Sequence, residues 1–191
     1  HRTPAAMAGC ASLSFPATQR LGGGTGSLAE SREGRAAASL LEARYGGIHE
    51  DEAATVRLEL IAACIMRASP ELPQGCRCQL LDTSARNAFS LPGRVYLTKA
   101  LYEDLDDTDL LAAALAHELA HLAHEDSLKP QCASDGEALE REMSADIAAA
   151  RILRSSGFDE TAMRELILLV GSEQPDDWAR RRVQRLEASA P

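Results

Sequence analysis

Residues 117 to 121 read His-Glu-Leu-Ala-His, an HExxH pattern inside the apolar, alanine-rich run Leu110 to Asp126. On a helix of about 3.6 residues per turn, positions four apart stack on one side, so the His117 and His121 imidazoles can grip a single metal ion. Glu118 follows His117 by about a quarter turn. It is badly placed as a third ligand but well placed to reach a water at that metal, the position of a general base. Two ligands and a base thus fall within five residues.

A second long helix is expected from Ser134 to about Ser156, opened by the Ser134 to Glu137 capping box and stopped at Gly157. Its inward stripe is Leu139, Glu142, Met143, Asp146, Ala149, Ala150 and Leu153, so two carboxylates one turn apart interrupt an apolar face. A buried carboxylate without a partner costs several kcal/mol, and a metal and a metal-bound histidine would be suitable partners. Catalytic zinc commonly takes three protein ligands and keeps a fourth position for water, whose pKa it lowers to about 7. His117, His121 and Glu142 fit that set. Glu118 then takes the proton of the attacking water and returns it to the leaving amine, which is metal-assisted amide hydrolysis with one zinc ion. Asp146 is expected to accept the free ring N–H of one of the two histidines and fix its tautomer. Which histidine is not legible in the sequence.

The elements that must position these groups follow from periodicity and turn chemistry. Residues 1 to 28, rich in Gly, Ser, Ala and Pro, read as a flexible leader or tether, and 29 to 191 as a single domain. Apolar residues recur at helical spacing from Leu28 to Tyr45 and from Glu50 to Ala68, with Gly46-Gly47 between, which predicts a pair of packing helices. The second carries two apolar stripes: Val56, Leu60 and Ala63, and Ala53, Leu58, Ile61 and Ile65. Short extended pieces follow at Cys78 to Leu81, Asn87 to Leu91 and Arg94 to Thr98, with a Pro92-Gly93 turn between the last two. Leu101 to Leu105 makes a helical turn, and Asp106 to Asp109 caps the motif helix, whose segment Pro130 closes. Two further helices, Glu160 to Val170 and Asp177 to Ala188, complete an α+β, mainly helical domain with a small sheet.

Bulk properties exclude several classes of function. The 191-residue chain carries a formal net charge of −9, and its basic residues are scattered apart from Arg180-Arg181-Arg182, so nucleic acid is not an expected partner. The apolar run Leu110 to Ala116 is 7 residues long, against about 20 for a membrane-spanning helix. The five cysteines, Cys10, Cys64, Cys76, Cys78 and Cys132, form no paired CxxC arrangement and so no structural zinc site. Met7-Ala8-Gly9-Cys10 resembles the end of a bacterial lipoprotein signal, with Cys10 as the lipid-bearing residue, and an oxidising compartment would then permit two disulfides among the other four.

Taken together, HELAH, the Glu142-Met143-Ser144-Ala145-Asp146 segment in the place of an ExxAD motif, and the upstream Asn87-Ala88-Phe89-Ser90-Leu91-Pro92-Gly93 and Val95-Tyr96-Leu97-Thr98 resemble the gluzincin family of HtpX, BepA and the CAAX prenyl proteases. The likeness runs from about Ala43 to Val170 and is to the soluble or lipid-anchored bacterial members. It implies a zincin-like fold and a zinc endopeptidase of envelope protein quality control, acting on misfolded or unfolded polypeptides in the periplasm or at a membrane anchor. Cytoplasmic residence is the alternative. It also implies that the Asn87, Ala88 and Phe89 strand walls the cleft, where an extended substrate could pair through its backbone.

The chain departs from that pattern in places. The His-Pro pair and later Arg of the family correspond to Gln174-Pro175 and Arg182 with altered spacing, which leaves Arg182 either a surface charge or a substrate or transition-state contact. The usual basic residue after HExxH is replaced by Glu125, beside His124, which is not expected to ligate. Cys132, between the two metal-bearing helices, is expected in a disulfide or simply buried, and the alternative is that its thiolate covers the open zinc position and keeps the enzyme latent. A non-catalytic or latent chaperone-like metal protein is the competing class, and Glu118 argues against it, since metal affinity alone needs no base.

Overall fold

The computed structural model describes residues 32–126, 134–171 and 177–189. Seven helices and three strands are found there: α1 (Arg32–Arg44), α2 (Glu52–Ala68), β1 (Arg77–Leu81), β2 (Ala88–Leu91), β3 (Arg94–Thr98), α3 (Lys99–Asp104), α4 (Thr108–Ala123), α5 (Asp135–Ser156), α6 (Ala162–Val170) and α7 (Trp178–Glu187). The expected α+β, mainly helical class is what is observed. Cys10, Pro130, Cys132 and Gln174-Pro175 lie outside the described residues, as does the 1 to 28 leader.

Strand order is β1-β3-β2, with β1 parallel and β2 antiparallel to β3. The β2–β3 hairpin turns at Pro92-Gly93, and Gly93 has the positive φ of 75° that the second central position requires. The sheet separates two cores. Alternation along β3 sends Val95 and Leu97 toward α2 and α4, and Tyr96 toward α1, where it packs with Leu41, Leu81, Phe89 and Leu91. The two N-terminal helices therefore cover opposite faces of the sheet rather than forming the expected pair with each other. The reason lies in α1 itself: its buried Ala37, Ala38 and Leu41 match the Phe89–Tyr96 face, and Tyr96 Oη donates a 2.8 Å hydrogen bond to Glu42.

On α2 only one of the two apolar stripes is buried. Leu58, Ile61 and Ile65 join the main core, while Val56 and Leu60 are 46% and 64% exposed. A helix wedged against one layer buries about one face, and two stripes compete for it. The main core is built around α4, whose residues from Leu111 to Leu122 are all buried. Runs of alanine in α4, Ala112 to Ala114 and Ala116, let its neighbours approach closely, and α2, α5 and α6 all pack on it. The helix ends follow local rules: Asp107 caps α4, Ser134 Oγ accepts from the Glu137 N–H at 3.3 Å, and Gly157 closes α5 with φ 80°. Among the described residues Cys64, Cys76 and Cys78 are free thiols and form no disulfide with one another.

Candidate metal centre

Helix α4 is surrounded by protein, and the sequence that makes it apolar also buries its polar residues: His117, Glu118 and His121 are all buried. From the neighbouring α5, Glu142 and Asp146 reach the same point. The His117 and His121 Nε2 atoms are 3.1 Å apart, and they lie 3.4 and 3.5 Å from the two oxygens of Glu142. Ligands tetrahedrally arranged about an ion at about 2.0–2.1 Å stand about 3.3–3.4 Å from one another. The three donors thus form one face of a tetrahedron of the right size, and among the described residues they are the group that could hold a metal.

Charge points the same way. Among the described residues Glu118, Asp126, Glu142 and Asp146 are four buried acids, and the buried Arg182 meets two of them, Glu142 and Asp146. Such an imbalance in a region of low dielectric is strongly unfavourable, and a divalent cation offsets most of it. Burial pushes the Glu142 carboxyl up, yet the hydrogen bonds of His117 and His121 and the charges of His121 and Arg182 outweigh it and hold the group well below the usual carboxylate range. At Asp146 burial again acts upward, and Arg182 first, then His117, bring the carboxyl below its ordinary value. Both acids are therefore held as anions, the form a cation needs.

The ring nitrogens turned away from this face each meet an acid. His117 Nδ1 lies 3.1 Å from Asp146 Oδ1, which assigns to His117 the contact that the sequence left open between two histidines. His121 Nδ1 lies 2.8 Å from Asp126 Oδ2, with both side chains buried. Sequence reasoning missed Asp126 because α4 ends at Ala123 and helical spacing says nothing beyond it. Glu125 adopts a left-handed φ of 55°, and the reversal brings the next residue back under His121. One signal was present: two acids directly after a helix C-terminus oppose its dipole, so at least one should have another purpose. His124 is half-buried and outside the metal-capable group.

Arg182, expected as a surface charge or a substrate contact, is 2% exposed on α7. Its Nε and Nη2 donate to the two Asp146 oxygens at 2.8 and 2.7 Å, and Nη1 lies 3.4 Å from Glu142 Oε2.

Asn87, Ala88 and Phe89 sit beside α4 at the start of β2, an outer strand of the described sheet. The Thr98 N–H donates to the Asn87 carbonyl at 2.9 Å, so by alternation the backbone groups of Ala88 and Ser90 point away from β3. Phe89, by contrast, turns its side chain into the second core and its backbone toward Tyr96. Asn87 Oδ1 already accepts from the outward Ala88 N–H at 2.9 Å.

No helix among the described residues is long and apolar enough to cross a membrane. No curated protein matches the chain. Residues 54–140, from the first turn of α2 through the whole HExxH helix and into α5, match the model of peptidase family M48, and Glu142 follows two residues beyond. By that match and by its His117, His121 and Glu142 group, this chain is similar to peptidase family M48, and its metal-capable group is consistent with a gluzincin-like member.

Proposed function

We propose that the protein is a zinc-dependent endopeptidase in which His117, His121 and Glu142 hold one ion and Glu118 is the general base. The observation that carries this reading is the closed triangle of two histidine nitrogens and a carboxylate, 3.1 to 3.5 Å on a side, with a further carboxylate one residue along the same helix. Zinc bound there would supply Lewis acidity, polarising a peptide carbonyl and making water acidic near neutral pH. Glu118 takes the proton of the attacking water and delivers it to the leaving amine, so one side chain serves as base and then acid. Asp126 Oδ2 meets the outer ring nitrogen of His121 at 2.8 Å and Asp146 Oδ1 stands 3.1 Å from that of His117, which turns the inner nitrogens toward the ion.

Substrate is read as an extended polypeptide added along β2. Ala88 and Ser90 offer outward backbone groups for that pairing, and Asn87 releases the Ala88 N–H when a substrate carbonyl replaces its side-chain oxygen. Main-chain pairing gives affinity with little sequence preference, which suits misfolded or unfolded proteins as the substrate class. A lipid anchor at Cys10, residence in the bacterial periplasm and a place in envelope quality control extend the same proposal. They rest on the Met7-Ala8-Gly9-Cys10 segment and on the resemblance to lipid-anchored peptidases.

The test is cleavage of an unfolded model protein by the zinc-loaded chain beside Glu118→Gln, which keeps the ligands and removes the base. Cleavage by the parent and a loss of at least ~100-fold in the variant is the expected result. If both hold one zinc and neither cleaves, the protein is a metal-binding module and the endopeptidase reading is wrong.

A further inference from the structure

Arg182 lies outside the segment that matches the family model, on a helix at the far end of the chain from α4, yet its guanidinium is buried inside the metal centre. All three of its nitrogens face carboxylates of α5: two donate to Asp146 in the parallel, bidentate manner and the third lies 3.4 Å from Glu142. Asp146 Oδ1 is shared, accepting from Arg182 Nη2 at 2.7 Å while lying 3.1 Å from His117 Nδ1. A planar fork is the side chain that can lock a carboxylate in both position and rotation, and a lysine ammonium cannot.

We infer that Arg182 is a positioning residue of the metal site: from α7 it locks Asp146 against His117 Nδ1 and holds Glu142 in line, so that docking of α7 assembles the metal-binding face. This deepens the endopeptidase proposal and rests on His117 and Glu142 being ligands. It replaces the expectation that Arg182 is a surface charge or meets substrate. The chain of contacts runs from α7 through Arg182 and Asp146 to the ring of His117, and each link is a short polar contact between buried groups.

The experiment measures zinc affinity by competition with a chromophoric chelator for the parent, Arg182→Lys, Asp146→Asn and the double variant, with Val183→Ala as a control. Val183 is buried on the same helix and packs in the main core, so its truncation loosens α7 without touching the carboxylates. Arg182→Lys and Asp146→Asn should each weaken zinc binding by about 10–100-fold, and the double variant by little more than one of them, because both break one chain of contacts. Val183→Ala should lower the melting temperature and leave zinc affinity within about twofold of the parent.

Zinc affinity unchanged in Arg182→Lys, with a raised KM for peptide cleavage, would overturn the inference in favour of a substrate contact. Equal weakening by Val183→Ala would overturn it in favour of plain structural support. Should Arg182→Lys not fold, the ring-nitrogen shifts of His117 in Asp146→Asn carry the same test: loss of the single tautomer supports the chain of contacts, and its retention refutes it. A parent that holds zinc but cleaves nothing would sink the endopeptidase proposal while leaving these affinity comparisons valid.

Discussion

Asp126 gives the sharpest quantitative prediction, because a single hydrogen bond separates it from a proposed ligand. His121 Nδ1 and Asp126 Oδ2 are 2.8 Å apart, and the two residues are 3% and 2% exposed. With His121 Nε2 turned to the metal face, Nδ1 must carry the proton and donate to the carboxylate. A hydrogen bond to a charged group between buried partners contributes about 1.5–3 kcal/mol, and removing it acts most on the bound state, where the ring loses electron density. That range corresponds to about 10–150-fold in affinity at about 1.4 kcal/mol per factor of ten. Mutational experience with carboxylates behind metal-bound histidines gives about 10–100-fold, and the two routes agree.

Asp126→Asn keeps the shape and an acceptor oxygen but removes the charge, so it should sit near the lower end. Asp126→Ala should sit at or beyond the upper end, since it also leaves a buried ring N–H unsatisfied. Chelator competition at pH 7.5 measures both, and circular dichroism of the metal-free forms checks that the fold is intact. If the Asn variant binds zinc as tightly as the parent, the carboxylate does not tune His121 and the argument fails. If both variants weaken equally, charge is irrelevant and only the contact matters.

Two further outcomes follow from backbone and burial. Glu125→Gly should stabilise the protein by about 0.5–1 kcal/mol in urea unfolding, because a left-handed φ of 55° strains a side-chain-bearing residue and suits glycine; a loss of stability would show that Glu125 makes a contact worth more than the strain. Burial pushes the Cys78 thiol up from 9.0 to about 12, and burial together with Glu42 raises Tyr96 above its ordinary value of 10.0. Raised groups contribute stability that is whole below the unfolded pKa and is lost as pH climbs toward the folded one. Stability should therefore be flat in these groups below pH 9 and fall above it, by up to about 3 kcal/mol from Cys78 at pH 11, two units above its unfolded value at ~1.4 kcal/mol each. Cys78→Ala should flatten that fall, and an unchanged slope between pH 9 and 11 would contradict it.

What the sequence determined by itself was local. Two histidines four apart on one helix share a face whatever the rest of the chain does, and Glu142 and Asp146 stood out because charges on an apolar stripe demand partners. Asp107, Ser134, Pro92-Gly93 and Gly157 placed their caps and turns for the same reason, since each acts within four residues of itself. Tertiary structure decided everything that depended on which faces meet. Val56 and Leu60 have the same spacing as Leu58, Ile61 and Ile65, and only packing against the sheet and α4 buries the second set. The histidine that Asp146 serves, the turn that brings Asp126 under His121, and the path of Arg182 from α7 to a carboxylate 36 residues earlier each require two elements to be docked. Periodicity records the face a helix presents and carries no record of the partner it presents it to, so the proposed ligand histidines, the proposed base and the carboxylates of α5 were legible in the chain, while Asp126, the contacts of Arg182 and the histidine that Asp146 meets were not.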